Sequence, residues 1–137
     1  AGESAIIGFP ETSLGIIPGA SGTQRLPRLI GITKAKYWIL SARKFTAEEA
    51  WQDGVVDFIS GDDEVLETAI DLAQEILHNA PISLKAAKSA IDKGMDVNLD
   101  AGLKIESNEY EKTLNSQDRI EALQAFAEKR APKWSGK

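Results

Sequence analysis

One carboxylate in this sequence sits in apolar company. Glu11 follows Phe9-Pro10 and lies close to Ile7, Leu14 and Ile16. Desolvation favours the neutral, proton-holding form of a carboxyl. A group so placed can act as general acid or base near neutrality. The alternative is that Glu11 binds backbone donors within its own loop. Just beyond it, Gly19-Ala-Ser-Gly22 precedes a helical segment. Glycines let backbone N–H groups converge on a ligand, and a helix N-terminus adds the positive end of a dipole. The alternative is a loop that needs positive φ angles. The cluster is not a P-loop, because no Gly-Lys-Ser/Thr follows it.

Two further pairs have helical spacing. Arg25 and Arg28 lie three apart, and could bind phosphate or bridge to carboxylates elsewhere in the fold. Phe126 and Lys129 are also three apart, hence neighbours on one helix face. A ring beside an ammonium group suits a nucleotide, and an exposed phenylalanine beside a solvated lysine is the plainer alternative. Other chemistries are excluded. Cysteine is absent, so there is no disulfide, thiolate metal site or cysteine nucleophile. A single histidine, His78, excludes most multi-histidine zinc sites, and no metal site is expected.

The elements that must position these residues fall into two styles. Residues 1–31 hold six of the eleven glycines and three of the five prolines, yet also carry Ile6-Ile7, Phe9, Leu14 and Ile16-Ile17. A glycine-rich segment that is also apolar is expected to be buried or to line a cleft. From Thr33 the periodicity is helical. A short helix is expected over 33–41. Thr46-Ala-Glu-Glu49 fits a capping box, opening a helix that ends near Gly54. Val55–Ile59 reads as a short strand. Asp62 or Asp63 is expected to cap a helix through Leu77. Pro81 opens a helix over 82–93 with a small-residue face of Ala86, Ala87 and Ala90. Asn98 or Asp100 starts the next, with Leu99, Leu103, Tyr110 and Leu114 on one side. Ser116 starts the last helix, and residues 131–137 are expected to be irregular. Trp38, Trp51 and Trp134 read as packing residues.

Composition bounds the class. The chain of 137 residues is 42% hydrophobic and 27% charged, enough apolar material to fold rather than remain disordered. No apolar run reaches the length of a membrane-spanning helix, and residues near Ala1 lack the pattern of a signal peptide. The net charge of −5 argues against nucleic-acid binding. Charge is uneven, however. Residues 1–44 carry six Lys/Arg against two Asp/Glu, whereas residues 45–137 carry ten against nineteen. The first third is therefore the place for an anionic ligand. A lone strand cannot form a sheet by itself, so the chain is expected to be the C-terminal part of a larger α/β fold.

The run Phe9-Pro-Glu-Thr-Ser-Leu-Gly-Ile-Ile-Pro-Gly-Ala-Ser-Gly-Thr-Gln-Arg-Leu-Pro-Arg28 resembles the central segment of the crotonase (enoyl-CoA hydratase/isomerase) superfamily. Ser41–Ala50, Gly54–Asp57 and Phe126–Arg130 resemble later segments of that family, and the C-terminal half resembles the branch containing methylglutaconyl-CoA hydratase. The resemblance implies an α/β chain that is the C-terminal portion of a crotonase (ClpP/crotonase-like) fold. It would comprise a glycine-rich active-site loop, one or two short strands and then mostly α-helix. Residues 1–61 would belong to the crotonase core, and residues 62–137 to a helical region for trimerisation and for covering CoA.

The resemblance also implies roles. Glu11 matches the second of two catalytic glutamates, and is expected to deliver a proton to the α-carbon. Gly19 matches the glycine whose N–H helps hold the catalytic water. Phe126 and Lys129 match positions that approach the CoA nucleotide, often from a neighbouring subunit. Ser21 departs from the pattern, since glycine is common there. The first catalytic glutamate and both oxyanion donors would lie in residues preceding Ala1. The implied activity is hydration of an acyl-CoA thioester by a homotrimer or dimer of trimers. No cofactor is expected, CoA being part of the substrate, and no membrane association. The compartment would be the mitochondrial matrix or a bacterial cytoplasm. An isomerase of the same fold, an RNA-binding homologue of the hydratase branch and a piece useful only for assembly are the alternatives.

Overall fold

The computed structural model describes all 137 residues. They form two short strands, seven α-helices and two single 3-10 turns. The chain divides into two compact units, Ala1–Asp71 and Leu72–Lys137, each described by itself.

In the first unit, β1 (Ile6–Gly8) leads into a 3-10 turn over Pro10–Leu14, then α1 (Gly22–Ile30) and α2 (Ile32–Leu40). The chain returns as β2 (Lys44–Thr46) and enters α3 (Ala47–Asp53). β1 and β2 pair antiparallel, with Ile7 opposite Phe45. The core is Leu26, Ala35, Trp38, Ile39, Phe45 and Ala50, with Ile7, Phe9, Ile30, Val55 and Val56 packed against it. Trp38 and Phe45 are its anchors. Their rings stack with centroids 3.8 Å apart and planes within 3°. The Trp38 indole N–H donates to Asp53 Oδ2 at 2.7 Å, so the buried polar edge is satisfied. Trp38 is thus a packing residue, whereas Trp51 is half exposed.

The capping box is present as the sequence predicts. Glu49 N–H donates to Thr46 Oγ1, and Thr46 N–H donates back to Glu49 Oε2. The expected strand at 55–59 is not. The Val55 and Val56 N–H groups both donate to Ala50 O, closing the end of α3. Those are donors that a ladder would need. Only Ser60 makes an isolated parallel bridge, with Gly2. The two real strands are three residues each, too short for alternation to show. Asp62 also departs from its expected role. It lies in the 3-10 turn Asp62–Glu64 ahead of α4 (Val65–Leu77), and its carboxylate accepts the Ser4 N–H instead of capping the helix.

In the second unit, α5 (Pro81–Gly94) and α6 (Leu99–Leu114) pack as a hairpin. A Cβ placed on Gly102 would come within 3.6 Å of Gly94 O, so the two backbones approach closely there. Asn98 caps α6 and Ser116 caps α7 (Gln117–Glu128), each through its side-chain oxygen. Asp118 is fully buried and accepts N–H groups from Ser135 and Gly136, tying the irregular tail to the start of α7. The apolar face expected for α4 is exposed at Leu66, Ile70, Ile76 and Leu77, as are Leu103, Tyr110, Ile120 and Leu123 on α6 and α7.

Candidate functional site

Glu11 occupies the second position of the 3-10 turn Pro10–Leu14. Pro10 fixes φ at the entrance and has no N–H to leave unpaired there. Gly15 closes the turn in the left-handed region, at φ 75°, where a residue with a Cβ would be strained. Its N–H donates to Thr12 O, and the Ile16 N–H donates to Glu11 O. One side chain reaches outside the turn: Thr12 Oγ1 donates to Ile39 O at 2.9 Å.

The carboxyl of Glu11 is anomalous. Its Oε2 is buried and has no hydrogen-bond partner, and no other buried side-chain nitrogen or oxygen in the chain is left so. Buried polar atoms are otherwise paired, because leaving one unpaired costs about 1–3 kcal/mol. The alternative raised by the sequence, a glutamate satisfied within its own loop, does not describe this oxygen.

The glycine cluster leads into α1. Gly22 N–H donates to Pro18 O, and a Cβ on Gly22 would meet the Pro18 side chain at 2.6 Å and the Phe9 ring at 3.0 Å. Glycine is therefore required there by close approach. Gly19 is different: an added Cβ would meet only Ile17 O, at 3.8 Å, so packing within the chain does not demand glycine. Ser21 caps α1 with φ 76° and makes no side-chain capping bond. That left-handed angle is the physical reason a glycine suits the position better. Arg25 and Arg28 both lie on α1 and form no ion pair. Arg28 instead donates to Gln24 O and Oε1.

Phe126 and Lys129 belong to the second unit. The Phe126 ring is 87% exposed, with nothing in the chain packed over most of it. Lys129 is not on a continuing helical face, which corrects the spacing argument. It is the left-handed cap of α7 at φ 55°, and its N–H donates to Phe126 O. Arg130, next along, forks onto Glu121 at 2.6 and 3.1 Å and also binds Glu128. The Arg130 guanidinium and the Lys133 N–H hold the Glu121 carboxyl at about 2. Lys129 itself has no carboxylate partner. No group of three His, Asp or Glu side chains is placed to hold a metal ion.

The family model described as enoyl-CoA hydratase/isomerase matches residues 1–137. The chain belongs to the enoyl-CoA hydratase/isomerase family. Among relatives, "Probable enoyl-CoA hydratase 2, mitochondrial" of Arabidopsis thaliana is 49% identical over 135 residues, covering 98% of this chain and 45% of that protein. "Methylglutaconyl-CoA hydratase, mitochondrial" of Mus musculus is 44% identical over 140 residues, covering 99% of this chain and 45% of that protein. The crystal structure of an enoyl-CoA hydratase from Bacillus anthracis superposes with a TM-score of 0.95 at 47% identity, covering 100% of this chain and 53% of that one. This family member therefore has the crotonase fold, α/β and mostly helical. It spans about half the length of the relatives it matches.

Three structural carboxylates of this family member escaped the sequence reading. Glu109 on α6 is buried and accepts from Lys112, Ser89 and Lys93, with the Lys112 ammonium foremost in holding its carboxyl at about 2. Asp118 and Glu121 anchor the tail. Ser116 and Asn98 were legible as caps because the acceptor bonds lie three residues away. Asp118 and Glu121 find partners nine to eighteen residues away, and no local pattern marks them.

Proposed function

We propose that this chain carries one of the proton-transfer carboxyls of an enoyl-CoA hydratase. A single observation carries it: Glu11 Oε2 is buried, in a turn fixed from both ends, and bonds to nothing in the chain. An unpaired buried carboxylate oxygen persists where something outside the chain's own groups uses it.

In the proposed reaction, water adds across the 2,3 double bond of an acyl-CoA thioester. Water oxygen bonds to C3 as a second carboxylate takes its proton. The electron pair of the double bond moves toward the thioester carbonyl, whose developing oxyanion is stabilised by two backbone N–H groups. Glu11, holding a proton, then donates it to C2, the carbonyl re-forms, and the proton taken by the second carboxylate returns to Glu11 through the next bound water. The second carboxylate and the oxyanion donors are supplied by residues outside 1–137. The Gly19 N–H helps hold the water. Phe126 of a neighbouring subunit stacks on, and Lys129 of that subunit pairs with, the nucleotide part of CoA, which enters as substrate. The exposed Leu103, Tyr110, Ile120 and Leu123 supply the contacts of a homotrimer or dimer of trimers.

A lone carboxyl also suffices to move a proton between C2 and C4, so an isomerase is the second reading. The same orphan oxygen would serve it. The full-length protein, assayed with crotonyl-CoA and with 3-hexenoyl-CoA, separates the two. Hydration of crotonyl-CoA is expected. Isomerisation of 3-hexenoyl-CoA without hydration would move the assignment to isomerase, and turnover of neither would overturn both.

A further inference from the structure

We propose that Thr12 is a positioning residue for Glu11, and this rests on the reading of Glu11 as the proton-transfer carboxyl. Because Glu11 Oε2 bonds to no group of this chain, no side-chain hydrogen bond within residues 1–137 fixes that oxygen. The backbone of the Pro10–Leu14 turn must place it. Bonds inside that turn close it on itself: Ser13 Oγ donates to Pro10 O at 2.7 Å, and the Gly15 N–H donates to Thr12 O. Such bonds keep the shape of the turn but leave it able to shift as a unit. Thr12 Oγ1 to Ile39 O, across 27 residues, is the one side-chain hydrogen bond from the turn to another element.

The acceptor is well chosen. Ile39 is buried and next to last in α2, among the carbonyls a helix leaves without an internal partner. α2 is held in turn by the Trp38 stack on Phe45 and by the indole bond to Asp53. A rigid line therefore runs from the core through Ile39 O and the Thr12 hydroxyl to the residue beside it, Glu11. Threonine suits the task because its branched side chain restricts χ1, aiming the hydroxyl.

The test is kinetic, in the full-length protein with crotonyl-CoA. Thr12→Val keeps the shape and removes the donor. kcat is expected to fall about ten- to a hundredfold, since misplacement on the order of 1 Å has effects of that size. KM should stay unchanged, and Thr12→Ser should restore kcat. In a Glu11→Gln background, Thr12→Val should cause no further loss, because the two act through one group. An equal loss in both backgrounds would show a general structural role and overturn the proposal. Unchanged kcat in Thr12→Val, with activity abolished in Glu11→Gln, would overturn it while sparing the role of Glu11. Full activity in Glu11→Gln would remove both. Should Thr12→Val not fold, Thr12→Cys offers a weaker donor of similar size. Its kcat is expected below that of Thr12→Ser at equal KM, and equal kcat in the two variants would overturn the proposal.

Discussion

Trp38 carries the first unit's core, and shortening its ring should have a measurable, divisible cost. It is fully buried, stacked on Phe45 and bonded to Asp53. Trp38→Phe keeps a ring for the stack but removes the indole N–H and part of the buried surface. A hydrogen bond to a charged group contributes about 1.5–3 kcal/mol. Asp53 is 27% exposed and retains Lys34 at 3.0 Å, which brings the loss down to about 1 kcal/mol. The missing ring atoms add about 1 kcal/mol. Trp38→Phe should therefore cost about 2 kcal/mol, and Trp38→Ala about 3–5 kcal/mol. Equilibrium urea unfolding of the full-length protein, followed by far-UV circular dichroism, reads both costs. In an Asp53→Ala background, which lacks the acceptor, the cost of Trp38→Phe should drop to about 1 kcal/mol. The Trp38 indole and then the Lys34 ammonium hold the Asp53 carboxyl below the usual carboxylate range. The unfolded chain thus binds more protons in acid. The contribution is complete above the ordinary aspartate value, about pH 3.9, and is lost as pH falls through the lower folded value. A cost of Trp38→Phe below about 0.5 kcal/mol, or one that is identical in the Asp53→Ala background, would refute this account of the core.

Thr46→Ala removes the capping box of α3 and should cost about 1 kcal/mol in the same unfolding assay. Ser21→Gly and Ala42→Gly, at φ 76° and 51°, should be neutral to stabilising by up to about 1 kcal/mol, because relief of left-handed strain opposes the extra freedom of the unfolded chain. Clear destabilisation by either would count against the assigned backbone. Glu109 and Glu121, each held at about 2 by neighbouring cations, contribute stability fully above the ordinary glutamate value of about 4.3 and lose it as pH falls toward 2. Unfolding midpoints should fall across that window, and Glu109→Gln should flatten the fall. Phe126→Ala should leave stability within about 0.5 kcal/mol, given the ring's exposure, while raising KM for the CoA thioester.

What the sequence disclosed depended on the distance between partners. Thr46, Asn98 and Ser116 were readable as caps because cap and recipient sit three residues apart. Helix spans followed from periodicity for the same reason. The strands were not readable. Ile6–Gly8 and Lys44–Thr46 are made strands by each other, across some forty residues, and Val55–Ile59 lost that role to the Ala50 carbonyl. Glu11 stood out because its apolar neighbours surround it in sequence. Its missing hydrogen bond and the Thr12 tether to Ile39 exist only in three dimensions. Lys129 shows the opposite error, since three-residue spacing suggested a shared helix face where the chain in fact leaves the helix.

The central claim is that the unbonded oxygen of Glu11 moves the proton. Glu11→Gln in the full-length protein, with hydration of crotonyl-CoA and binding of a saturated acyl-CoA measured side by side, tests it most directly. The account predicts a loss of kcat of about a hundredfold or more with binding retained. Hydration within a fewfold of wild type, at unchanged binding, would contradict it.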